Sequence, residues 1–263
     1  MKLRHLLLAA LLLPALSYAQ SGPDSLKTSP PIDTDRPNQT ESAKVVPVGT
    51  LQLESGLLRQ TDLQDGERTT DFYYPAVLLR VGVWERLELR LKTDYHRQRL
   101  TSPQGSNEAK GLDAITVGTK IKISEEKGLL PAVAFLGHLT LPSGSSAFRP
   151  ATVAPDFRFS LSHSLSQRLE LGYNMGYEWN GNETHGSGIY TLSLGAELPH
   201  HFGAFVELYG DKPHHGHWRH AADGGFTFMP RHNVQLDLAA EVGLNHLATD
   251  YFLSAGLSLR MPR

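Results

Sequence analysis

The chain has 263 residues, of which 40% are hydrophobic and 20% charged, with a formal net charge of −2 and no cysteine. This length suits one large domain or two small ones, and the near-neutral charge argues against nucleic acid as a partner. The absence of cysteine excludes disulfide bonds, thiolate metal sites and cysteine nucleophiles.

The N-terminus has the pattern of a secretory signal peptide. Two basic residues precede the apolar stretch Leu6–Leu13, and Ser17 and Ala19 fit the −3 and −1 positions of a cleavage site. We therefore predict a signal peptide over residues 1–19. The apolar stretch is too short for a membrane anchor, and no other run in the sequence reaches the length of about 18 residues that a spanning helix needs.

Residues 20–49 are polar and proline-containing, and they show neither a helical nor a strand period. We call this segment the leader and predict that its backbone is irregular. From residue 50 onward the sequence changes to a period of two, in which Leu87 and Leu89, for example, alternate with Glu88 and Arg90. Residues 50–263 are therefore predicted to form one β-domain.

The alternation predicts about twelve strands of the length that a tilted membrane strand needs. They lie near residues 50–60, 71–82, 86–96, 112–123, 131–141, 156–164, 168–179, 188–198, 202–210, 219–229, 233–244 and 251–260. Short links and longer polar loops alternate between them, and residues 61–70 and 97–110 are among the predicted long loops. Short turns at one end and long loops at the other are typical of an all-β, transmembrane, antiparallel up-and-down β-barrel. A soluble β-sandwich or lipocalin-like barrel is the alternative, because it also produces alternation.

Several stretches make the chain similar to a known family, the bacterial outer-membrane proteins assigned to the meta-pathway of phenol degradation and often described only as transporters. The similarity is carried by Asp33–Ser42 (DTDRPNQTES), Val46–Gly49, Leu51–Glu54, Leu79–Gly82, Leu87–Arg90, Asp113–Lys120, Leu141–Gly144, Val206–Tyr209, Asp223–Gly225, Asn233–Asp237 and Ala255–Arg260. One departure is the C-terminus, which ends Arg260-Met261-Pro262-Arg263 where outer-membrane strands commonly finish on an aromatic residue.

The resemblance implies a location in the bacterial outer membrane and the passive passage of small solutes, including aromatic or other hydrophobic ones. Outer-membrane lipid, lipopolysaccharide and the barrel-assembly machinery would then be the partners. It supplies no catalytic residues and no cofactor, and we predict none. The alternative from another class is a barrel that binds or displays something at the cell surface without transport.

If the apolar face meets lipid, the alternate residues line the lumen. The basic ones are Arg80, Arg90, Lys92, Lys120, Lys122, Arg158 and Arg260, and the acidic ones are Glu54, Glu88, Asp94, Glu170, Glu178, Glu197, Glu207, Asp223, Asp237 and Glu241. Because the two sets lie mainly on different strands, closure would give one basic and one acidic wall. Either the walls orient solutes in an aqueous pore or their charges pair across the lumen and fill it.

The conspicuous motif of the leader is Asp33–Ser42, in which Asp33, Asp35, Arg36, Gln39 and Glu41 are the residues of interest. We hypothesise that it folds into the periplasmic mouth as a partial plug and pairs with basic-wall residues such as Arg80, Arg90 and Lys120. A disordered periplasmic tail is the alternative.

Two further candidates come from histidines. His214, His215, His217 and His220 cluster in a predicted surface loop, but their spacing matches no zinc-finger motif, so a polar loop is the default and no metal site is predicted. His163 and Ser164 are the residue types of a hydrolase, yet sequence neighbours on a strand point to opposite faces. The chain carries no G-x-S-x-G, P-loop or G-x-G-x-x-G motif, so an enzyme is not predicted.

Overall fold

The computed structural model describes residues 30–262, so the predicted signal peptide lies outside the described residues. The strands are β1 (Leu51–Gln64), β2 (Glu67–Trp84), β3 (Leu87–Ser102), β4 (Gly105–Leu112), β5 (Thr116–Ser124), β6 (Ala132–Thr140), β7 (Ala154–Ser164), β8 (Leu169–Glu178), β9 (Ser187–Leu198), β10 (Phe202–Pro213), β11 (Arg219–Arg231), β12 (Val234–Gly243) and β13 (Tyr251–Met261). Within residues 30–262, no helix is long and apolar enough to cross a membrane.

The sheet closes on itself. Each strand pairs antiparallel with its chain neighbours, and β1 pairs with β13 over Leu51–Thr61, which joins the first strand to the last. The order is interrupted at β3, whose C-terminal half pairs with β4 and whose N-terminal half pairs with β5, so that β4 and β5 do not pair with each other. The thirteen strands therefore fill twelve positions around the barrel, which confirms the predicted fold class.

The two faces of the wall differ as the alternation predicts. On β12, Asp237 and Glu241 are buried, whereas Leu236 and Leu238 on the opposite face are 44% and 61% exposed. Charged side chains thus face the interior and apolar ones face outward around the wall. A soluble sandwich or lipocalin-like barrel would have the reverse arrangement, so that alternative is wrong.

The two ends of the barrel also differ. The tight-turn end carries the connections 85–86, 125–131, 165–168, 199–201 and 232–233, together with the start of β1 and the end of β13. The long-loop end carries loops 141–153, 179–186, 214–218 and 244–250.

Two predicted long loops are instead hairpins that extend the strands. Residues 61–70 continue β1 and β2 around the turn Asp65-Gly66, whose positive φ angles of 52° and 81° suit the Asp-Gly pair. Residues 97–110 likewise continue β3 into β4 around Pro103-Gln104. The prediction was wrong here because these extensions are polar on both faces and show no alternation.

The predicted strand at 112–123 is interrupted at residues 113–115. Loop 141–153 replaces the missing strand contacts there: the backbone N–H of Ser145 donates to the Leu112 carbonyl at 2.8 Å, and that of Ile115 donates to the Ser143 hydroxyl at 3.0 Å. Leu141 N–H in turn donates to the Ile115 carbonyl at 2.9 Å. Loop 141–153 therefore forms hydrogen bonds both with the end of β4 and with the residue that precedes β5.

Depth along the wall should set the effect of a charge on its outer face. Leu238 lies at mid-strand and Leu198 ends β9 at the tight-turn end, and both face outward. Leu238→Lys should reduce the free energy of unfolding in lipid vesicles by ~2–4 kcal/mol, and the matched Leu198→Lys by only ~0–1 kcal/mol. Equal effects in denaturant titrations would contradict the transmembrane orientation.

Candidate functional site

From residue 31 onward, the leader runs inside the barrel. It enters at the tight-turn end, where the Ile32 N–H donates to the His232 carbonyl at 2.7 Å, and it leaves beside β2, where Val48 forms a β-bridge with Gly82. Between these points its residues bond to side chains of β1, β2, β3, β5, β7, β8, β9, β10 and β12. The leader therefore crosses the lumen and contacts most of its circumference.

Asp35 is the centre of the leader's contact with the basic wall. Its carboxylate lies 2.7 Å from Arg90 Nη1, 2.9 Å from Lys120 Nζ and 3.1 Å from Arg80 Nη1, and its side chain is 3% exposed. Burial by itself would raise the pKa of the Asp35 carboxyl, but Arg80, Lys120 and Arg90 together hold that pKa well below its usual range. The three cations proposed from the sequence as partners of the leader are all in contact with it.

Acidic residues complete the neutralisation of the basic wall. Arg80 also bonds Glu54 at 2.9 Å and Glu88 at 2.8 Å, while Arg90 bonds Glu41 of the leader at 2.9 Å. Arg80, Arg90 and the two glutamates of the wall are almost fully buried, where an unpaired charge would cost several kcal/mol. The leader is thus part of the network that neutralises the basic wall.

Arg36 reaches the other side of the lumen through a slot made of glycines. Gly56 of β1 pairs directly with Gly256 of β13, and Gly256 pairs with Asp237 of β12. The guanidinium lies across the two glycines, and its Nη2 is 3.0 Å from the Asp237 carboxylate. A Cβ at Gly56 would be 2.5 Å from Cζ of Arg36, so a larger residue there would displace the guanidinium.

Neutral groups of the leader bind the acidic wall. The Gln39 N–H donates to Glu207 at 2.7 Å, and the Thr40 hydroxyl bonds both Glu207 and, at 2.7 Å, Thr191. The Glu41 N–H donates to the Asn174 side chain at 2.7 Å. Sequence reasoning did not identify Thr191, Asn174 or the glycine slot, because uncharged inward residues on separate strands carry no recognisable motif.

The acidic wall also contains a row of three carboxylates. Strand register places Glu207 opposite Asp223, and Asp223 opposite Glu241, on three consecutive strands. The Tyr209 hydroxyl donates to Glu241, and the Gln39 N–H of the leader donates to Glu207. The row gives this side of the lumen a concentrated acidic surface.

The charged residues predicted to line the lumen lie on the inner face of the wall. Nine of them are at most 5% exposed, namely Glu54, Arg80, Glu88, Arg90, Lys120, Glu207, Asp237, Glu241 and Arg260. Lys92, Arg158 and Glu178 border a cavity toward the long-loop end, whereas Glu170 and Glu197 border one toward the tight-turn end. Lys122 bonds Glu125 at the tight-turn end. Many of the charged side chains on the inner face are thus paired, either with one another or with residues of the leader.

The leader lies between two cavities. The cavity toward the long loops has a volume of about 520 Å³ and the one toward the tight turns about 380 Å³. Pro37, Asn38 and Glu41 line both of them. The leader therefore occupies the middle of any route along the barrel axis.

Apolar surface is also available to a ligand. Inside the barrel, Phe205, Phe252 and Ala239 form a buried cluster against Leu58, and Phe205 borders the smaller cavity. On the wall itself, an apolar groove of about 980 Å³ crosses β10–β13, β1 and β2, with Phe226 among its outward-facing residues. Such a groove suits hydrocarbon, since it offers few hydrogen-bond partners to a polar molecule.

The histidine and serine candidates have separate surroundings. The Ser164 hydroxyl donates to Glu126 at 2.7 Å, whereas His163 lies 3.4 Å from the Tyr173 hydroxyl, so the two do not form a base–nucleophile pair. Of the four clustered histidines, His214 and His215 lie together, whereas the His220 ring bonds Tyr190 at 2.7 Å.

Comparison with known proteins identifies the fold. A family model described as "Putative MetA-pathway of phenol degradation" matches residues 34–261. The structure is similar to an outer membrane channel from Pseudomonas putida F1, with a TM-score of 0.66, 12% identity, and coverage of 86% of this chain and 100% of that chain. It is also similar to the NanC porin, with a TM-score of 0.51, 9% identity, and coverage of 80% and 98%. None of the curated proteins compared with the chain is similar to it in sequence.

A third similar structure is the translocator domain of the autotransporter NalP from Neisseria meningitidis. It has a TM-score of 0.50 and 13% identity, with coverage of 80% of this chain and 87% of that chain. These structures establish the fold, a closed barrel of the outer-membrane type.

The glycine slot provides a test of how the leader is held. Gly56→Ala should displace Arg36 from Asp237 and loosen the leader, because breaking a buried ion pair costs about 3–5 kcal/mol. We expect trypsin to cleave after Lys44 at least ~10-fold faster in the variant than in the wild type, since proteolysis follows the population of the open state.

Gly195→Ala is the matched control for this substitution. Gly195 also lies on the inner face of a strand, but the nearest atom to an added Cβ there is 3.9 Å away. Equal cleavage rates in the two variants would contradict the slot as the anchor of the leader.

Proposed function

Because the chain belongs to the family described as "Putative MetA-pathway of phenol degradation", we propose that it is an outer-membrane channel for the passive passage of small solutes. The observation that carries this proposal is the pair of cavities on either side of the leader inside a closed barrel. The chain's similarity to the family, expected from the DTDRPNQTES motif and the strand matches, is confirmed.

The orientation follows from the two ends of the barrel. Outer-membrane barrels place short turns in the periplasm and longer loops outside, which puts the leader's entry at the periplasmic mouth. The apolar outer face would contact outer-membrane lipid, and the long loops would lie among lipopolysaccharide. Insertion of such a barrel requires the barrel-assembly machinery.

The leader is proposed to act as the plug. Its acidic residues neutralise the basic wall and Arg36 binds the acidic wall, so the seated leader is held from both sides. A solute that travels from the larger cavity to the smaller one meets Pro37, Asn38 and Glu41 on its way. Passage through the barrel therefore requires the leader to move.

The solute class is proposed to include aromatic or other hydrophobic compounds. The family description refers to phenol degradation, and the Phe205 cluster borders the smaller cavity with apolar surface. An aromatic ring would pack against Phe205 while a hydroxyl group bonds the polar side chains nearby. This role requires no catalytic residue.

A non-transporting barrel that binds or displays something at the cell surface is the rival function, and a reversible disulfide lock distinguishes the two. The Thr40 and Thr191 hydroxyl oxygens are 2.7 Å apart, and the chain has no other cysteine to interfere. The Thr40→Cys/Thr191→Cys variant should conduct ions in planar bilayers when reduced. When oxidised it should lose conductance and solute uptake by liposome swelling, and dithiothreitol should restore both.

A second cysteine pair controls for oxidation itself. Thr116→Cys/Thr140→Cys joins β5 to β6, where the hydroxyl oxygens are 2.8 Å apart, and it leaves the leader free. Oxidation should not change the conductance of this variant. Conductance that persists in the locked protein would disprove the plug, whereas no single-channel steps in any variant, Gly56→Ala included, would disprove the channel.

The aromatic solute class can be tested by block of the ion current. Phenol bound beside Phe205 should obstruct the pore, and Phe205→Ser should raise the phenol concentration for half-block by about 10-fold, the equivalent of 1.4 kcal/mol. Phe159→Ser is the control, because Phe159 is 40% exposed on the outer face. Equal block in both variants would contradict a phenol site at Phe205.

A further inference from the structure

Strand register brings two outer loops together. Strands β9 and β10 pair up to their long-loop ends, where Lys212 lies opposite Gly188 and Pro213 opposite Ser187. The ladder is extended by the His214 N–H, which donates to the Gly186 carbonyl at 3.1 Å. The residues that precede β9 and those that follow β10 are therefore neighbours at the long-loop end.

Three imidazoles meet at this junction. His185 comes from loop 179–186, and His214 and His215 come from loop 214–218. One ring nitrogen from each residue lies within 4.8 Å of the others, and all three side chains are exposed. The His185 ring is stacked on His214 with centroids 4.2 Å apart, and the His215 ring stands nearly perpendicular to both, at 5.2 Å and 4.4 Å.

Three imidazoles at this spacing are the donor set of a transition-metal ion. Zinc is bound by histidine nitrogen at about 2.0–2.1 Å, so nitrogens that surround one ion are separated by roughly 3–4 Å. Small rotations of the exposed rings would bring the three nitrogens to that separation, while a water molecule would fill the fourth position. Hard cations such as Mg²⁺ and Ca²⁺ prefer oxygen ligands and would not be favoured.

We propose that His185, His214 and His215 form a binding site for one divalent transition-metal ion at the long-loop end of the barrel. The ion ties loop 179–186 to loop 214–218, which the backbone bond from His214 to Gly186 already holds side by side. The site is independent of the leader and of the lumen. The proposed metal site therefore does not depend on whether the barrel is a channel.

Titration of the full-length protein in detergent micelles with zinc chloride tests the site. We expect isothermal titration calorimetry to give one tight ion per chain. Loss of a group that only hydrogen-bonds a metal ligand weakens metal binding by about 10–100-fold, so loss of a ligand itself in His185→Ala or His214→Ala should weaken it by at least ~100-fold. Magnesium chloride should give no heat at the same concentrations.

His217→Ala is the matched control, because His217 lies in the same loop but outside the group of three. This variant should bind zinc as the wild type does. His185→Gln is a second variant that keeps a polar side chain of similar size, and it should lose binding as His185→Ala does. The melting temperature of each variant without zinc checks that the barrel is intact.

The proposal is overturned if the wild type binds zinc no more tightly than His185→Ala. It is also overturned if His217→Ala loses as much affinity as His185→Ala, since scattered surface histidines would then account for the binding. Trp218, which follows the site and is 41% exposed, supplies an independent signal. Copper(II) should quench its fluorescence at one equivalent in the wild type and not in His185→Ala.

Discussion

A charge removed from water must lie beside an opposite charge, and the interior of this barrel is organised by that requirement. Arg80, Arg90 and Lys120 are at most 5% exposed, and the carboxylates of the wall neutralise them only in part. Asp35 and Glu41 of the leader complete the neutralisation. The barrel wall and the leader are consequently one electrostatic unit, although they are separate segments of the chain.

The leader contacts both walls through two adjacent residues. Asp35 contacts the cations of β2, β3 and β5, while the next residue, Arg36, contacts Asp237 of β12. Two adjacent residues of opposite charge therefore connect the two sides of the lumen.

The sequence predicted the barrel because lipid on one side and polar side chains on the other impose a period of two on every strand. The prediction of loops at residues 61–70 and 97–110 was wrong, because both faces of a strand are polar where it extends beyond the lipid. The contacts of Asp35 were predictable from charge alone. The slot for Arg36 and the meeting of His185 with His214 were not, because they depend on which residues the strand register places side by side.

The glycine slot has a consequence for how the molecule is put together. Its two halves, Gly56 and Gly256, come from the first and last strands, which meet only at the seam that closes the barrel. Before the seam forms, Arg36 has no complete place to bind. Seating of the leader must therefore be among the last events of folding, and an Arg36 bound to Asp237 reports that the cylinder has closed in the correct register.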